Sequence, residues 1–319
     1  MSAKEKGTLT SGPFWMKGST MQSGPTPLNW VSLIVLGLIW GASFMAVGIA
    51  LNSVGPFTVA AIRLGLGAVV LLIVAYAMGR RLPKGRVWLY IIGMGVFTNA
   101  LPFSLLGWAQ QVVPSAFAGV SMAIVPLFVL PLAFLLVPGE KMPPRKIIGF
   151  GIGFIGVAIL IGIQDINNAL AAGDLLPKLA CVASAVCYAI GAIITRLAPP
   201  TPQIAYSAGG LLVGATISIT TALIFEGMPQ NIDATAASAL IYLAVFPTAL
   251  ATILLVKVIQ SAGPSFLSLV NYQVPVWSIL FGVLFLGEVL PNYFLLAFGL
   301  IIAGVLISQS GKKPAKRAA

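Results

Sequence analysis

The sequence has no histidine, two cysteines and seven acidic residues among 319, and charged residues of both signs together make up 8% of it. Without imidazole there is no histidine metal site, no Ser-His-Asp triad and no histidine proton relay. Cys181 and Cys187 fall in one apolar run, which excludes a disulfide framework. Soluble domains are about 45–50% apolar and about 25% charged; here 59% of residues are hydrophobic and the mean hydropathy is +1.02. These proportions exclude a soluble enzyme, a nucleic-acid-binding module and a disordered chain. The net charge of +11 would point to nucleic acid in a soluble protein. Here the bases cluster at the ends of apolar runs, so the charge reads as membrane topology and no nucleic-acid partner is expected.

A bilayer core takes about 20 apolar residues per spanning helix. Ten such runs lie near 30–51, 57–78, 87–108, 115–137, 146–163, 175–197, 204–225, 236–259, 264–286 and 292–308. The predicted fold class is therefore an all-α integral membrane protein of ten transmembrane helices. Residues 1–28 are polar, without the apolar core of a signal peptide, and read as a disordered tail; 309–319 form a basic tail. With the N-terminus cytoplasmic and the helices alternating, every Lys and Arg except Lys178 and Arg63 falls on the cytoplasmic side. Both termini are thus expected in the cytoplasm of a multi-pass inner-membrane protein.

The two halves are similar at a shift near 148: Gly139-Glu140 recurs as Gly287-Glu288, Phe150-Gly151 as Phe298-Gly299, Gly156-Val157 as Gly304-Val305, and Trp40 aligns with Tyr188. Upstream the shift drifts to 149 for Pro126 and Pro275, and to 150 for Pro114-Ser115 and Pro264-Ser265. The expected domains are a five-helix repeat over 29–163 and a second over 174–308. An odd number of helices per repeat inverts the second copy, the arrangement through which secondary transporters alternate access.

Leu38-Ile39-Trp40-Gly41-Ala42-Ser43-Phe44 resembles the "WGxxF" opening of EamA-domain proteins of the drug/metabolite transporter superfamily. Arg63 after Pro56, a fourth-helix proline before Gly139-Glu140, Gly156-Val157, Thr195-Arg196, Pro275, Leu286-Gly287-Glu288 and Gly304-Val305 extend the resemblance over about residues 30–308. The sequence is similar in particular to YddG-type exporters of aromatic and other amino acids. The resemblance implies a ten-helix basket with helices 1, 3, 4, 6, 8 and 9 around a central cavity. The second copy departs from the pattern, with Tyr188-Ala189 in place of the Trp-Gly pair.

Polar or small residues at helical spacing mark protein-facing sides of membrane helices. The ninth run carries Ser268, Asn271, Pro275, Ser278 and Gly282; the sixth Ser184, Tyr188, Gly191 and Thr195; the first Trp40, Ser43 and Phe44; the third Asn99 and Phe103; the eighth Thr248 and Thr252. From these, Trp40, Ser43, Phe44, Asn99, Phe103, Tyr188, Thr248, Thr252, Asn271 and Ser278 are candidate substrate-binding residues, with helix–helix contact the alternative for each. Pro126 and Pro275, repeat partners inside predicted spans, each free a backbone carbonyl and are candidate gating breaks near a midplane site. Asn271 and its carbonyl, freed by Pro275, are the expected centre of that site. Gly149-Gly153 and Gly299-Gly304, with Gly151, are assigned to scaffold packing, so that substitution at Gly151 or Gly299 is expected to harm folding. Glu140 and Glu288 sit at helix ends, where pairing with loop bases is expected.

Arg63 lies within the second run, about 9 Å below the outer surface at 1.5 Å per residue. It is a candidate anion contact, with an internal carbonyl partner or snorkelling as alternatives. No Asp lies in any predicted span, which disfavours an intramembrane protease or metal-dependent prenyl transferase. The resemblance implies export of amino acids, with the aromatic lining suiting apolar or aromatic side chains; with no His and no mid-membrane carboxylate, facilitated flux is expected rather than proton coupling. A proton-driven drug or metabolite pump is the rival reading. The expected partners are a small-molecule substrate and the lipid bilayer, the chain acting as a monomer without cofactor or metal.

Overall fold

The computed structural model describes residues 25–163 and 173–310. The predicted tails lie largely outside these. Among the described residues all regular structure is helical. Eight helices are long and apolar enough to cross a membrane: α1 Pro27–Ala50, α2 Pro56–Ala77, α3 Val87–Ala109, α4 Ser115–Leu136, α5 Pro144–Ile161, α6 Leu175–Leu197, α7 Gln203–Phe225 and α8 Ala234–Ala262. Two shorter apolar helices follow, α9 Val270–Leu286 and α10 Phe294–Gln309. A single helical turn, Pro264–Leu267, precedes α9.

Local chemistry sets the ends. Pro27 and Pro56 open α1 and α2, where a missing N–H costs nothing. The Thr26 hydroxyl accepts from Asn29 N at 3.3 Å, and Asp233 accepts from Ala236 N at 2.8 Å to start α8. The bundle has two faces. The terminal face carries the start of α1 and the end of α10; the far face carries the turns between α1 and α2, α3 and α4, α7 and α8, and α9 and α10.

Several helices depart from α geometry in their middles. α3 is π-helical over Gly95–Ala100 and α8 over Val245–Leu250, two segments 150 residues apart. Single π turns recur at functional sites because they re-aim side chains. In α4 a 3₁₀ turn at Met122–Ile124 runs into Pro126, which occupies the first turn of the following α segment. Ahead of Pro275, three bonds are of the tighter i→i−3 kind: Leu269 N to Phe266 O at 3.1 Å, Asn271 N to Ser268 O at 3.2 Å and Tyr272 N to Leu269 O at 3.2 Å.

Small residues allow the closest helix contacts. A methyl group added at Gly304 would sit 2.4 Å from the Gly153 nitrogen, and one at Gly149 would sit 2.5 Å from the Gly304 carbonyl oxygen, so α5 and α10 meet backbone to backbone. Gly151 and Gly299 do not share this role: nothing lies within 4 Å of an added methyl at either. Their expected packing function is corrected, because each falls on the side of its helix turned away from the seam.

Carboxylates tie helices together on both faces. On the far face Glu288 accepts from Ser115 N at 2.6 Å and Ala116 N at 2.9 Å, capping α4. Glu226 does the same for α2, accepting from Phe57 N at 2.9 Å, Thr58 N at 2.8 Å and the Thr58 hydroxyl at 2.6 Å. On the terminal face Glu140 accepts from Arg196 and pairs with Lys146 at 3.5 Å, the expected pairing with bases. Glu288 departs from that expectation, since the first-turn N–H groups of a helix lack intrahelical acceptors and attract an anion as a base would. The Arg196 hydrogen bond, with the Arg196 and Lys146 charges, holds the Glu140 carboxyl below its usual range despite some desolvation.

Candidate functional site

A cavity of about 600 Å³ occupies the middle of the bundle. Its lining runs from Gln203, the first residue of α7 on the terminal face, to Gln110, just past α3 on the far face. Of the residues expected to bind substrate, Trp40, Ser43, Phe44, Asn99, Phe103, Tyr188, Thr248, Thr252 and Asn271 line it, as does Arg63. Ser278 does not: it is buried against Gly119 of α4, its hydroxyl donating to Pro275 O at 2.9 Å. Pro126 and Pro275 also stand behind the wall, which their neighbours Val125 and Val274 form. Besides the six helices expected around it, α2 contributes Val59, Ala60 and Arg63, and α7 contributes Gln203, Tyr206, Ser207 and Leu211.

Many lining polar groups are already engaged. The Trp40 indole donates to Pro247 O at 3.1 Å, joining α1 to the π segment of α8. Ser43 donates to Trp40 O at 2.6 Å and Thr252 to Thr248 O at 2.6 Å, both within their own helices. Asn99 wedges into α7, its Cβ 2.7 Å from where a methyl at Gly214 would stand, and its Nδ2 is buried without a partner. Gln110 has both amide atoms buried without a partner. Phe103 and Tyr188 pack edge to face, ring centroids 6.3 Å apart.

Arg63 dominates the electrostatics. The residue is 7% exposed, its Nε donates to the Thr248 hydroxyl at 3.1 Å, and its guanidinium carbon sits 3.9 Å over the Phe103 ring. The Thr248 hydroxyl in turn donates to Leu243 O at 2.8 Å, which fixes its orientation. Among the described residues Arg63 makes no ion pair, and the lining contains no Asp or Glu. A buried charge is costly unless paired, and among the described residues no acidic side chain offsets this one. Among the described residues no cluster of Cys, Asp or Glu has the spacing to hold a metal ion.

Sequence reasoning missed Gln110, Gln203 and Tyr206. Each lies near the end of a predicted span, where a polar side chain reads as an interfacial residue, and no spacing sets it apart. Tyr206 donates to Tyr90 O at 3.2 Å and bridges α7 to α3.

Apolar helices of spanning length around a central cavity, with one buried cation facing it, define a multi-pass membrane protein built to hold a small solute. The chain belongs to the EamA-like transporter family, whose model matches it twice, over residues 28–162 and 176–309. It is 26% identical over 283 residues to the inner membrane transporter YedA of Escherichia coli K12, covering 88% of this chain and 90% of that one. It is 24% identical over 282 residues to the transporter YoaV of Bacillus subtilis, covering 87% and 95%. It is also 24% identical over 277 residues to a probable terminal-alkyne amino-acid exporter of Streptantibioticus cattleyicolor, covering 86% and 91%. A solved crystal structure superposes with a TM-score of 0.63 at 23% identity, covering 88% of this chain and 97% of that one, and shares the fold.

Proposed function

We propose that the protein is an inner-membrane secondary transporter that exports small carboxylates bearing apolar or aromatic side chains, amino acids and related metabolites among them, by facilitated alternating access. In this reading ten helices span the membrane as two inverted five-helix repeats, with both termini and the terminal face cytoplasmic. The two family matches support the repeat. So do the π segments, which stand in α3 and α8 at the same offset of 150 as Pro114-Ser115 and Pro264-Ser265. The names of the Escherichia coli and Streptantibioticus cattleyicolor relatives support an inner-membrane location and an amino-acid cargo.

The observation that carries the reading is the cavity: about 600 Å³, lined from both family matches, with a buried cation and the rings of Trp40, Phe44, Phe103 and Tyr188. That volume suits one small ligand. On the far face Gly119 of α4 packs against Ser278 of α9 and Glu288 caps α4, contacts we read as the closed gate of a cytoplasm-facing conformation. The lining holds no carboxylate or histidine to carry a proton, which supports facilitated flux. A panel of labelled amino acids, carboxylates, sugars and organic cations in proteoliposomes tests this. Uptake should favour the first two classes, fall several-fold in Asn271→Leu, and shift away from large side chains in Trp40→Ala. Preference for sugars or cations, or wild-type ranking in a folded double variant, would place the function or the site elsewhere.

A further inference from the structure

The charge inventory of the cavity narrows the substrate class, given that the cavity is the transport site as proposed above. We infer that the preferred substrate is an organic monoanion, an apolar or aryl monocarboxylate without an α-ammonium group, held on Arg63, and that its passage moves one net negative charge across the membrane.

The geometry leaves one edge of the guanidinium for a ligand. Phe103 covers a face of the group at 3.9 Å, and Nε is committed to Thr248 at 3.1 Å. Among the described residues no carboxylate reaches the two terminal amino groups. These form the planar fork that matches a carboxylate bidentately. The titratable groups facing Arg63 are the Tyr188 and Tyr242 phenols, and a phenol, ordinarily titrating near pH 10, supplies no negative charge at neutral pH. Tyr242 is moreover occupied, donating to Ile39 O at 3.0 Å.

An amine-free acid therefore neutralises the site completely. A zwitterion neutralises it too, but brings an ammonium next to its own carboxylate, hence close to the guanidinium, with no acidic side chain in the lining to receive it. An organic cation meets like charge and no counter-ion. The substrate carboxylate is accordingly assigned to Arg63 on α2 rather than to the Asn271 amide on α9.

The same charge sets the energetics of transport. Guanidinium does not deprotonate in proteins, so the empty carrier has a positive centre and the loaded one is neutral. One export cycle then carries one negative charge outward, down the potential of an inside-negative membrane, with no proton or sodium ion required. For one charge, about 59 mV corresponds to a tenfold concentration ratio at equilibrium.

The test uses four compounds of one shape: 3-phenylpropanoate, phenylalanine, 3-phenylpropanamide and phenethylamine, assayed in proteoliposomes against protein-free vesicles. The acid should compete for the site at least tenfold better than phenylalanine, with the amide and amine weaker still. A valinomycin-imposed potassium potential should accumulate the acid on the positive side, tenfold per about 59 mV. Arg63→Gln should abolish the preference for acid over amide while thermal unfolding confirms the fold. Arg63→Lys, which keeps the charge and loses the fork, should retain potential-driven flux at reduced affinity. Phenylalanine matching or exceeding the acid, or acid flux indifferent to potential, would overturn the inference and leave the transporter reading standing. Absence of flux for all four compounds would overturn both.

Discussion

The Glu288 carboxylate is one residue whose contribution can be worked out from its contacts. It takes two N–H groups of the first turn of α4, at 2.6 and 2.9 Å, in the helix packed against α9 on the far face. Glu288→Ala removes both acceptors and leaves the Ser115 and Ala116 donors, partly shielded from water, without partners. A hydrogen bond to a charged group contributes about 1.5–3 kcal/mol and a helix cap about 0.5–2 kcal/mol. The two contributions overlap, so together they amount to about 2–4 kcal/mol. For a large chain each kcal/mol moves the melting temperature by about 2–4 °C, which gives a loss of about 4–16 °C in detergent. Glu288→Gln keeps one oxygen and should lose about half as much. Glu226→Ala, which strips three acceptor contacts from the start of α2, should cost at least as much as Glu288→Ala. The assay is thermal unfolding followed by tryptophan fluorescence, with Glu226→Ala in parallel. A Glu288→Ala melting temperature within about 1 °C of wild type would show that the carboxylate caps contribute nothing to the fold.

Other expectations can be checked with the same preparation. Gly304→Ala should unfold or fail to express, because its new methyl would meet the Gly153 backbone at 2.4 Å, whereas Gly299→Ala should be neutral in thermal melts, since it meets nothing within 4 Å. The Glu140 carboxyl is held below its usual range by Arg196, so its folded form stays ionised where the unfolded chain already protonates. Its stabilisation is therefore full above the ordinary carboxylate pKa of about 4.3 and disappears as pH falls through the lowered value. The gap in melting temperature between wild type and Glu140→Gln should narrow as pH falls below the ordinary carboxylate range, and a gap that stays constant on acidification would contradict the pairing. Gly119→Ala, whose methyl would press on the Ser278 side chain and on Phe44, should loosen the far-face seam, read as increased labelling of a cysteine introduced at Gln110 by an impermeant reagent; unchanged labelling would count against that seal.

The helices are legible in the sequence because a spanning segment must be continuously apolar, and most of the predicted runs end within about a turn of the observed helices. Much of the cavity wall is legible too, since polar residues at helical spacing, such as Tyr188 and Asn271, have few other reasons to sit in an apolar helix. The stripe rule fails for Ser278, where a small polar residue serves close approach to Gly119 instead of the cavity. It cannot reveal the π segments of α3 and α8, because a bulge leaves no compositional mark, and these bulges decide where Thr248 and the Pro247 carbonyl point. Pro126 and Pro275 read from sequence as breaks at the site; the tightened turns lie ahead of them, and the prolines themselves stand behind the wall. Nor can sequence tell whether Arg63 has an internal counter-ion, since that depends on which helices surround α2.

The position of a bound substrate carboxylate separates Arg63 from Asn271 as its holder. A structure of the protein with 3-(4-bromophenyl)propanoate bound, the bromine located by its anomalous signal, measures that position directly. The carboxylate should lie within hydrogen-bonding distance, about 2.7–3.2 Å, of the Arg63 terminal nitrogens, with the brominated ring among Trp40, Phe44 and Tyr188. A carboxylate held at Asn271 with Arg63 untouched, or bromine density outside the cavity, would contradict the assignment.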